Sequence, residues 1–290
     1  MKLVVAAIQM PSDLLAVSDN LERADSLLRE AHLGGARLSV LPEMFNTGYG
    51  LLPDYFHVAE TLEGPTVQHL SRRARLWGMT IAGGIVEREG RHLYNTCVVC
   101  LPDGQVHPYR KRNLVFWERF RFRPGRSPVV VSTPFGRIGF AICADMIYRK
   151  TWEGYRDRID LAVVSSAWPD FANRDTRRKH WLVGHLGPMS GEIPGKVASD
   201  LGVPVLFANQ CGPTRTTIPL LGTWIAERLP DRFAGRSSVS DGRHGPPVLA
   251  GLDEEILLST VTLHPSRGPR TCPTTSPSAL EASSFASARS

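Results

Sequence analysis

Three residues able to do acyl chemistry stand where segments that read as strands end. Glu43 follows "SVLP", Lys111 follows "VHPYR" and Cys143 follows "RIGFAI". A free thiol, with a pKa near ~8.5, attacks well only as its thiolate. A carboxylate can take the thiol proton, and an ammonium stabilises both the thiolate and the oxyanion that forms next. Taken singly, each residue has a plainer reading: Glu43 as a surface acid, Lys111 as one base among many, Cys143 as a small buried apolar residue. Taken together they suffice for nucleophilic acyl transfer without histidine. A helix start directly after Cys143 would add backbone N–H donors and a favourable dipole.

Such residues must be carried to one place by regular elements, and the chain alternates accordingly. "KLVVAAIQ" reads as a strand and "SDNLERADSLLREAHLGG" as a helix, with Ser18 as its cap, Leu21, Ala24, Leu28 and Ala31 on one face, and Gly34 and Gly35 as its stop. "ARLSVLPE" is a strand, and "GPTVQHLSRRARLWG" a helix with Pro65 first and Gly78 after its end. "MTIAGGIVE", "LYNTCVVCL" and "VHPYRK" follow as strands, and "VVVSTPFGRIGFAIC" as a hairpin about "PFG". Beyond it, "RKTWEGYRDRI" predicts a helix with Trp152, Tyr155 and Ile159 on one side. "DLAVVSSAW", "VPVLFANQCG", "AGRSSVSDGRHGPPVLAG" and "EEILLSTVTL" read as strands, and "IPGKVASDLG" as a helix with Pro194 near its start. Polar residues at the carboxyl ends of strands are where open α/β sheets bind ligands. Residues 1–264 form the expected domain. The Ser/Pro-rich stretch 265–290 has little to bury and reads as a disordered tail.

Composition narrows the class. The 290 residues are 42% apolar, enough for a sizeable core. Five thinly spread cysteines argue against a disulfide scaffold and fit a reducing compartment. Cys97 and Cys100 lack a second pair or spaced histidines for zinc, and read as residues on opposite faces of one strand. "MKLVVAAIQMP" is too short an apolar run for a signal peptide, and no stretch nears the roughly 18 apolar residues of a membrane helix. The expectation is a cytoplasmic protein without a membrane. Much of the net charge of +6 lies in "YRKRNLVFWERFRFRPGR". Strict alternation in "RFRFR" turns Phe120 and Phe122 inward and the arginines outward, so a solvated strand face is favoured over a nucleic-acid patch.

The motifs "AAIQM", "LPEMFNTGY", "YRKRNL", "ERFRFRPG", "GRIGFAICAD", "SSAWP", "FANQCG" and "GRSSV", in this order, resemble the carbon–nitrogen hydrolases of the nitrilase superfamily. The resemblance implies an α/β fold, a four-layer α-β-β-α sandwich. It makes Glu43 the general base, Lys111 the oxyanion stabiliser and Cys143 the nucleophile, with the Ala144 backbone N–H as second oxyanion donor. It makes Glu118, in the pattern E-x-F-x-F-x-P-G, a partner of Lys111 that helps protonate the leaving amine. Tyr49 is a candidate for substrate contact or for capping a loop, Phe116 and Trp117 for pocket walls, and Trp168, by the resemblance, for the pocket lining, with an aromatic-core reading beside it. Arg174 and His180 are candidates for a substrate carboxylate, with a solvated helix face the favoured reading, and Asn209 reads as structural. No metal or organic cofactor is implied, and homo-oligomers are the family habit.

The expected activity is hydrolysis of a small amide or N-carbamoyl compound through a Cys143 thioester. "CAD" favours that branch, because nitrilases of the family commonly continue as Trp–Glu. Ala144 replaces an aromatic residue, Tyr148 takes the place of a second one, and Arg149 and Lys150 stand where Pro–Glu is common, which bears on the choice of substrate. The alternatives are a nitrilase, an acyltransferase using the same thioester, and an inactive nitrilase-like binding protein.

Overall fold

A computed structural model describes residues 1–51, 54–170, 189–216, 232–243 and 245–264. The strands in chain order are β1 (Lys2–Gln9), β2 (Leu38–Val40), β3 (Gly50–Leu51), β4 (Thr80–Glu89), β5 (His92–Cys100), β6 (Val106–Arg110) and β7 (Val130–Thr133). They continue with β8 (Gly136–Ile142), β9 (Leu161–Ser166), β10 (Val205–Asn209), β11 (Arg215–Thr216), β12 (Ser238–Ser240), β13 (Val248–Leu249) and β14 (Glu255–Thr262). The helices are α1 (Val17–Leu33), α2 (Pro65–Trp77), α3 (Arg149–Glu153) and α4 (Met189–Leu201).

Two mixed six-stranded sheets result, in the orders β14-β1-β2-β4-β5-β6 and β13-β12-β10-β9-β8-β7, and β3 pairs with β11 apart from them. The pattern of side chains makes the layers. On β1, Val5 and Ala7 join the large core that includes the second sheet, whereas Ala6 and Ile8 join the core under α1 and α2. Strand pleating sends alternate residues to opposite faces, so one strand serves both cores. On β5, Cys97 faces the first core and Cys100 the second, as their spacing predicts. Val197 and Ala198 of α4 and Trp152 of α3 complete the outer side of the second sheet. The architecture is the expected four-layer α-β-β-α sandwich.

Pairing directions decide where the strand ends go. β2 runs parallel to β1 and β4, and β6 is antiparallel to a strand that is itself antiparallel to β4. Hence β1, β2, β4 and β6 all point one way. In the other sheet β8, β9 and β10 are parallel. The two sets of carboxyl ends meet: Met10 bridges to Gln210, and the Ser165 hydroxyl donates to Leu41 O across the sheets at 2.9 Å.

Several local expectations need correction. Ser18 is not the cap of α1. The helix starts at Val17 with no side-chain cap, and Asn20 instead ties its start by bonding both the N–H and C=O of Asp13. The helix predicted over "RKTWEGYRDRI" is only Arg149–Glu153. Trp152, Tyr155 and Ile159 are still buried, since Tyr155 donates its hydroxyl to Phe140 O at 2.8 Å and continues by turns. Pro194 lies inside α4 rather than near its start. "RFRFR" is not a strand. Phe116–Phe120 forms a 3-10 turn, Phe122 is buried and Phe120 is 66% exposed, because Glu118 is drawn inward and curls the segment. The stretch 265–290 lies outside the described residues.

Gly84 on β4 lets the chain after β2 pass close by. A Cβ there would lie 2.6 Å from Glu43 Cα and 2.8 Å from Met44 N. Those are backbone atoms that cannot swing away. Gly84→Ala is expected to lose about 1–3 kcal/mol of stability by overpacking, read as a lower urea midpoint at constant m.

Candidate active site

Each key residue is delivered by a strand end. After β2 the chain stays beside β4, with Leu41 N bonded to Ala82 O and Phe45 N to Gly84 O, which carries Glu43 over the sheet edge. Lys111 follows β6 and is held through its own N–H to Asn95 O and its C=O from Gly125 N, both at 2.8 Å. Cys143 opens a 3-10 turn at the end of β8. Both Met44 and Cys143 have positive φ, 49° and 45°. The left-handed region costs a non-glycine residue of order 1–3 kcal/mol and persists only where its surroundings enforce it.

Lys111 is fully buried, and its ammonium donates to Glu43 Oε1 at 2.8 Å and to Glu118 Oε1 at 2.7 Å. An ammonium has three donors, so one is left for a reacting group. Burial alone would pull Lys111 down, but Glu118 and Glu43 outweigh it and hold it well above the usual lysine range. Glu43 Oε1 also accepts from Asn95 Nδ2 at 2.6 Å, and Oε2 from Ala167 N at 2.8 Å. Gln210 Nε2 fixes Glu43 O at 2.7 Å. Glu118 Oε2 accepts from Val115 N, and burial raises the Glu118 carboxyl although Lys111 pulls it down.

The Cys143 side chain feels all three charged groups. Burial pushes its thiol well up and Glu43 adds to that, while Lys111 opposes. The Ser166 hydroxyl near the sulfur also pulls the thiol down, although it has no partner at ordinary hydrogen-bond distance. The balance favours the protonated sulfur. Ala144, next in the turn, is buried.

The other candidates fall in two groups. Tyr49 donates to Glu118 Oε1 at 3.2 Å and accepts from Trp117 Nε1 at 3.0 Å, so both are linked to the carboxylate cluster. Burial, with Glu118 and Glu43, holds the Tyr49 hydroxyl well above its usual range. Trp168 is 4% exposed and belongs to the large core, with its backbone N–H bonded to Asn209 Oδ1 at 2.7 Å. Asn209 also donates to Gly235 O at 2.8 Å, a backbone-tying position. Tyr148 and Arg149 are exposed, and Arg149 pairs with Glu153 at 3.2 Å. The Phe116 side chain, Arg174 and His180 lie outside the described residues.

Sequence reasoning missed Asn95. Its amide reaches Glu43 and Glu118 at 2.6 and 3.3 Å. The signal was available: a fully buried asparagine amid "LYNTCVVC" is costly unless hydrogen-bonded. Asp145 was read only as a marker of substrate branch, yet it accepts hydrogen bonds from two separate segments. An acid three residues after the strand end, at the third position of a helical turn, is the cue for such a role.

With this geometry in hand, the comparisons are specific. The carbon–nitrogen hydrolase family profile matches residues 4–244, and the chain belongs to that family. A protein named nitrilase from Pyrococcus abyssi (strain GE5 / Orsay) is 38% identical over 148 residues, 50% of this chain and 56% of that one. Human omega-amidase NIT2 is 37% identical over 177 residues, 57% of this chain and 62% of its own length. The chain thus matches somewhat over half the length of these relatives. Saccharomyces cerevisiae Nit3, described as a member of branch 10 of the nitrilase superfamily, superposes with a TM-score of 0.70 at 26% identity, over 90% of each chain. No helix among the described residues is long and apolar enough to cross a membrane.

Because burial and Glu43 favour the protonated sulfur, alkylation of Cys143 by iodoacetamide is expected to show a pH midpoint above the ~8.5 of a free thiol. Peptide mass spectrometry across pH reads it, and a midpoint near neutrality would contradict this electrostatic account.

Proposed function

We propose that this protein hydrolyses a C–N bond of a small amide or N-carbamoyl compound, with Cys143 as nucleophile. The carrying observation is the buried Lys111 ammonium bonded to both Glu43 and Glu118, with the Cys143 thiol within their electrostatic reach. The family supports C–N chemistry, and the match to an omega-amidase supports an amide as the bond cleaved.

The steps follow from the donors and acceptors present. Sγ attacks the carbonyl carbon as Glu43 takes the thiol proton, forming the S–C bond. The free donor of Lys111 and the Ala144 N–H hold the oxyanion. The C–N bond breaks and nitrogen leaves protonated, taking its proton from the Glu43 side of the cluster, with Glu118 sustaining the charge balance. Water then attacks the thioester, Glu43 accepts its proton, and the thiol is restored. No metal or organic cofactor enters. Tyr49 and Trp117 border this cluster and contact the substrate. Ala144, where relatives hold an aromatic residue, leaves room beside the acyl group, while the exposed Tyr148 and Arg149 act at its margin at most. Trp168 acts through the core that supports Ala167 and the Glu43 carboxylate.

We further infer a cytoplasmic homo-oligomer that takes a small molecule rather than nucleic acid as its partner. The free state of all four described cysteines supports a reducing compartment. A nitrilase is the second reading, supported by the Pyrococcus match.

Ammonia release from panels of amides, N-carbamoyl compounds and nitriles tests the proposal. Turnover of an amide or N-carbamoyl compound is expected, with a hydroxamate formed when hydroxylamine intercepts the thioester. Cys143→Ala and Glu43→Gln are expected to lose turnover by at least about a thousandfold while remaining folded. Retained turnover in Cys143→Ala rejects the mechanism, and turnover confined to nitriles selects the second reading.

A further inference from the structure

Asp145 is fully buried two positions after the nucleophile, and the acyl chemistry gives it no step. Its Oδ1 accepts from Asn113 N at 2.7 Å, Asn113 Nδ2 at 2.8 Å and Arg112 N at 3.2 Å. Its Oδ2 accepts from the Tyr109 hydroxyl at 2.8 Å and from Ile142 N at 3.2 Å, with Arg112 N again at 3.4 Å. Tyr109, Arg112 and Asn113 flank Lys111 in sequence, and Ile142 directly precedes Cys143. One carboxylate thus brackets the lysine on both sides and grips the residue before the cysteine.

The arrangement answers a geometric need. β6 and β8 lie in different sheets, so no ladder hydrogen bonds set the spacing between their ends. Asn113 Nδ2 reaches on to Thr151 Oγ1 at 3.1 Å, which extends the tie to α3. All of these donors are N–H or O–H groups, and only a carboxylate offers acceptors alone. An asparagine would turn an NH2 group against one set of them.

We propose that Asp145 is a positioning residue that sets the separation between Lys111 Nζ and Cys143 Sγ by pinning the lysine loop to the nucleophile turn. The proposal rests on the acyl-transfer reading for its catalytic meaning. It predicts that loosening the pin harms the chemical step more than substrate capture. A misplacement of about 1 Å can cost on the order of a hundredfold in rate.

Asp145→Asn and the milder Tyr109→Phe, which removes one donor, are compared with wild type in two assays. Amide turnover gives kcat and KM. Iodoacetamide alkylation of Cys143 against pH gives the thiol midpoint. Glu43, Glu118, Lys111 and Tyr49 are the titratable groups facing the thiol. Removing a nearby negative charge favours the thiolate and moves that midpoint down, whereas retreat of Lys111 moves it up. For Asp145→Asn the expected results are kcat lower by about a hundredfold, little change in KM, and an upward midpoint. For Tyr109→Phe the same directions are expected with smaller size. An unchanged kcat, a loss confined to KM, or a downward midpoint overturns the proposal. If Asp145→Asn does not fold, Tyr109→Phe decides by the same readouts. If wild type turns over no amide, the hydrolase reading fails, while the alkylation midpoints still test whether Asp145 holds the lysine to the cysteine.

Discussion

A lysine ammonium taken wholly out of water is the constraint around which this site is built. Alone it would lose its charge or unfold its surroundings. Here Glu43 and Glu118 both bond it, within 2.8 Å. Two buried carboxyl groups thus share one ammonium. Burial first, and the neighbouring acids after it, raise Glu118, Tyr49 and the Cys143 thiol together. For the sulfur, burial and Glu43 favour the protonated form, and Lys111 opposes them. Asn95 and Ala167 N complete the acceptor needs of Glu43 and keep its carboxylate aimed.

The sandwich explains how such a cluster can be rigid. Its members come from β2, β6 and β8, which belong to two sheets, and both sheets end at one edge. Cross-sheet bonds from Ser165 to Leu41, from Glu43 N to Ser166 O and from Ala167 N to Glu43 lock the edges together. Left-handed backbone at Met44 and Cys143 is the cost of turning side chains into the gap, and the packed cores on either side enforce it. Gly84 leaves out a Cβ that would press on the backbone of Glu43 and Met44.

Much of this was legible in the sequence, for reasons that can be stated. Strand and helix order followed from apolar runs punctuated by Pro65, Gly78 and "PFG", which report local backbone needs. Glu43, Lys111 and Cys143 stood out because each follows a segment that reads as a strand. What failed was local structure overridden by tertiary demand. The alternation in "RFRFR" looks like a strand, but the inward pull on Glu118 winds it into a turn and leaves Phe120 exposed. Ser18 looks like a cap, but Asn20 secures that end through Asp13. Asn95 and Asp145 escaped notice because their worth lies in partners from distant segments, which no local pattern reveals.

The central claim is that the lysine exists to neutralise two buried acids. Urea denaturation of Lys111→Met at pH 5 and pH 8 tests it most directly. Without the ammonium, two buried carboxyl groups lose their counter-charge, so their protonated forms favour folding. The resulting stability is present at low pH and is lost as pH climbs above the unfolded carboxyl value. The variant is thus expected to be about 3–5 kcal/mol less stable than wild type at pH 8, with much of that recovered at pH 5. A loss under about 1 kcal/mol, the same at both pH values, would be that of an exposed ion pair and would contradict the account.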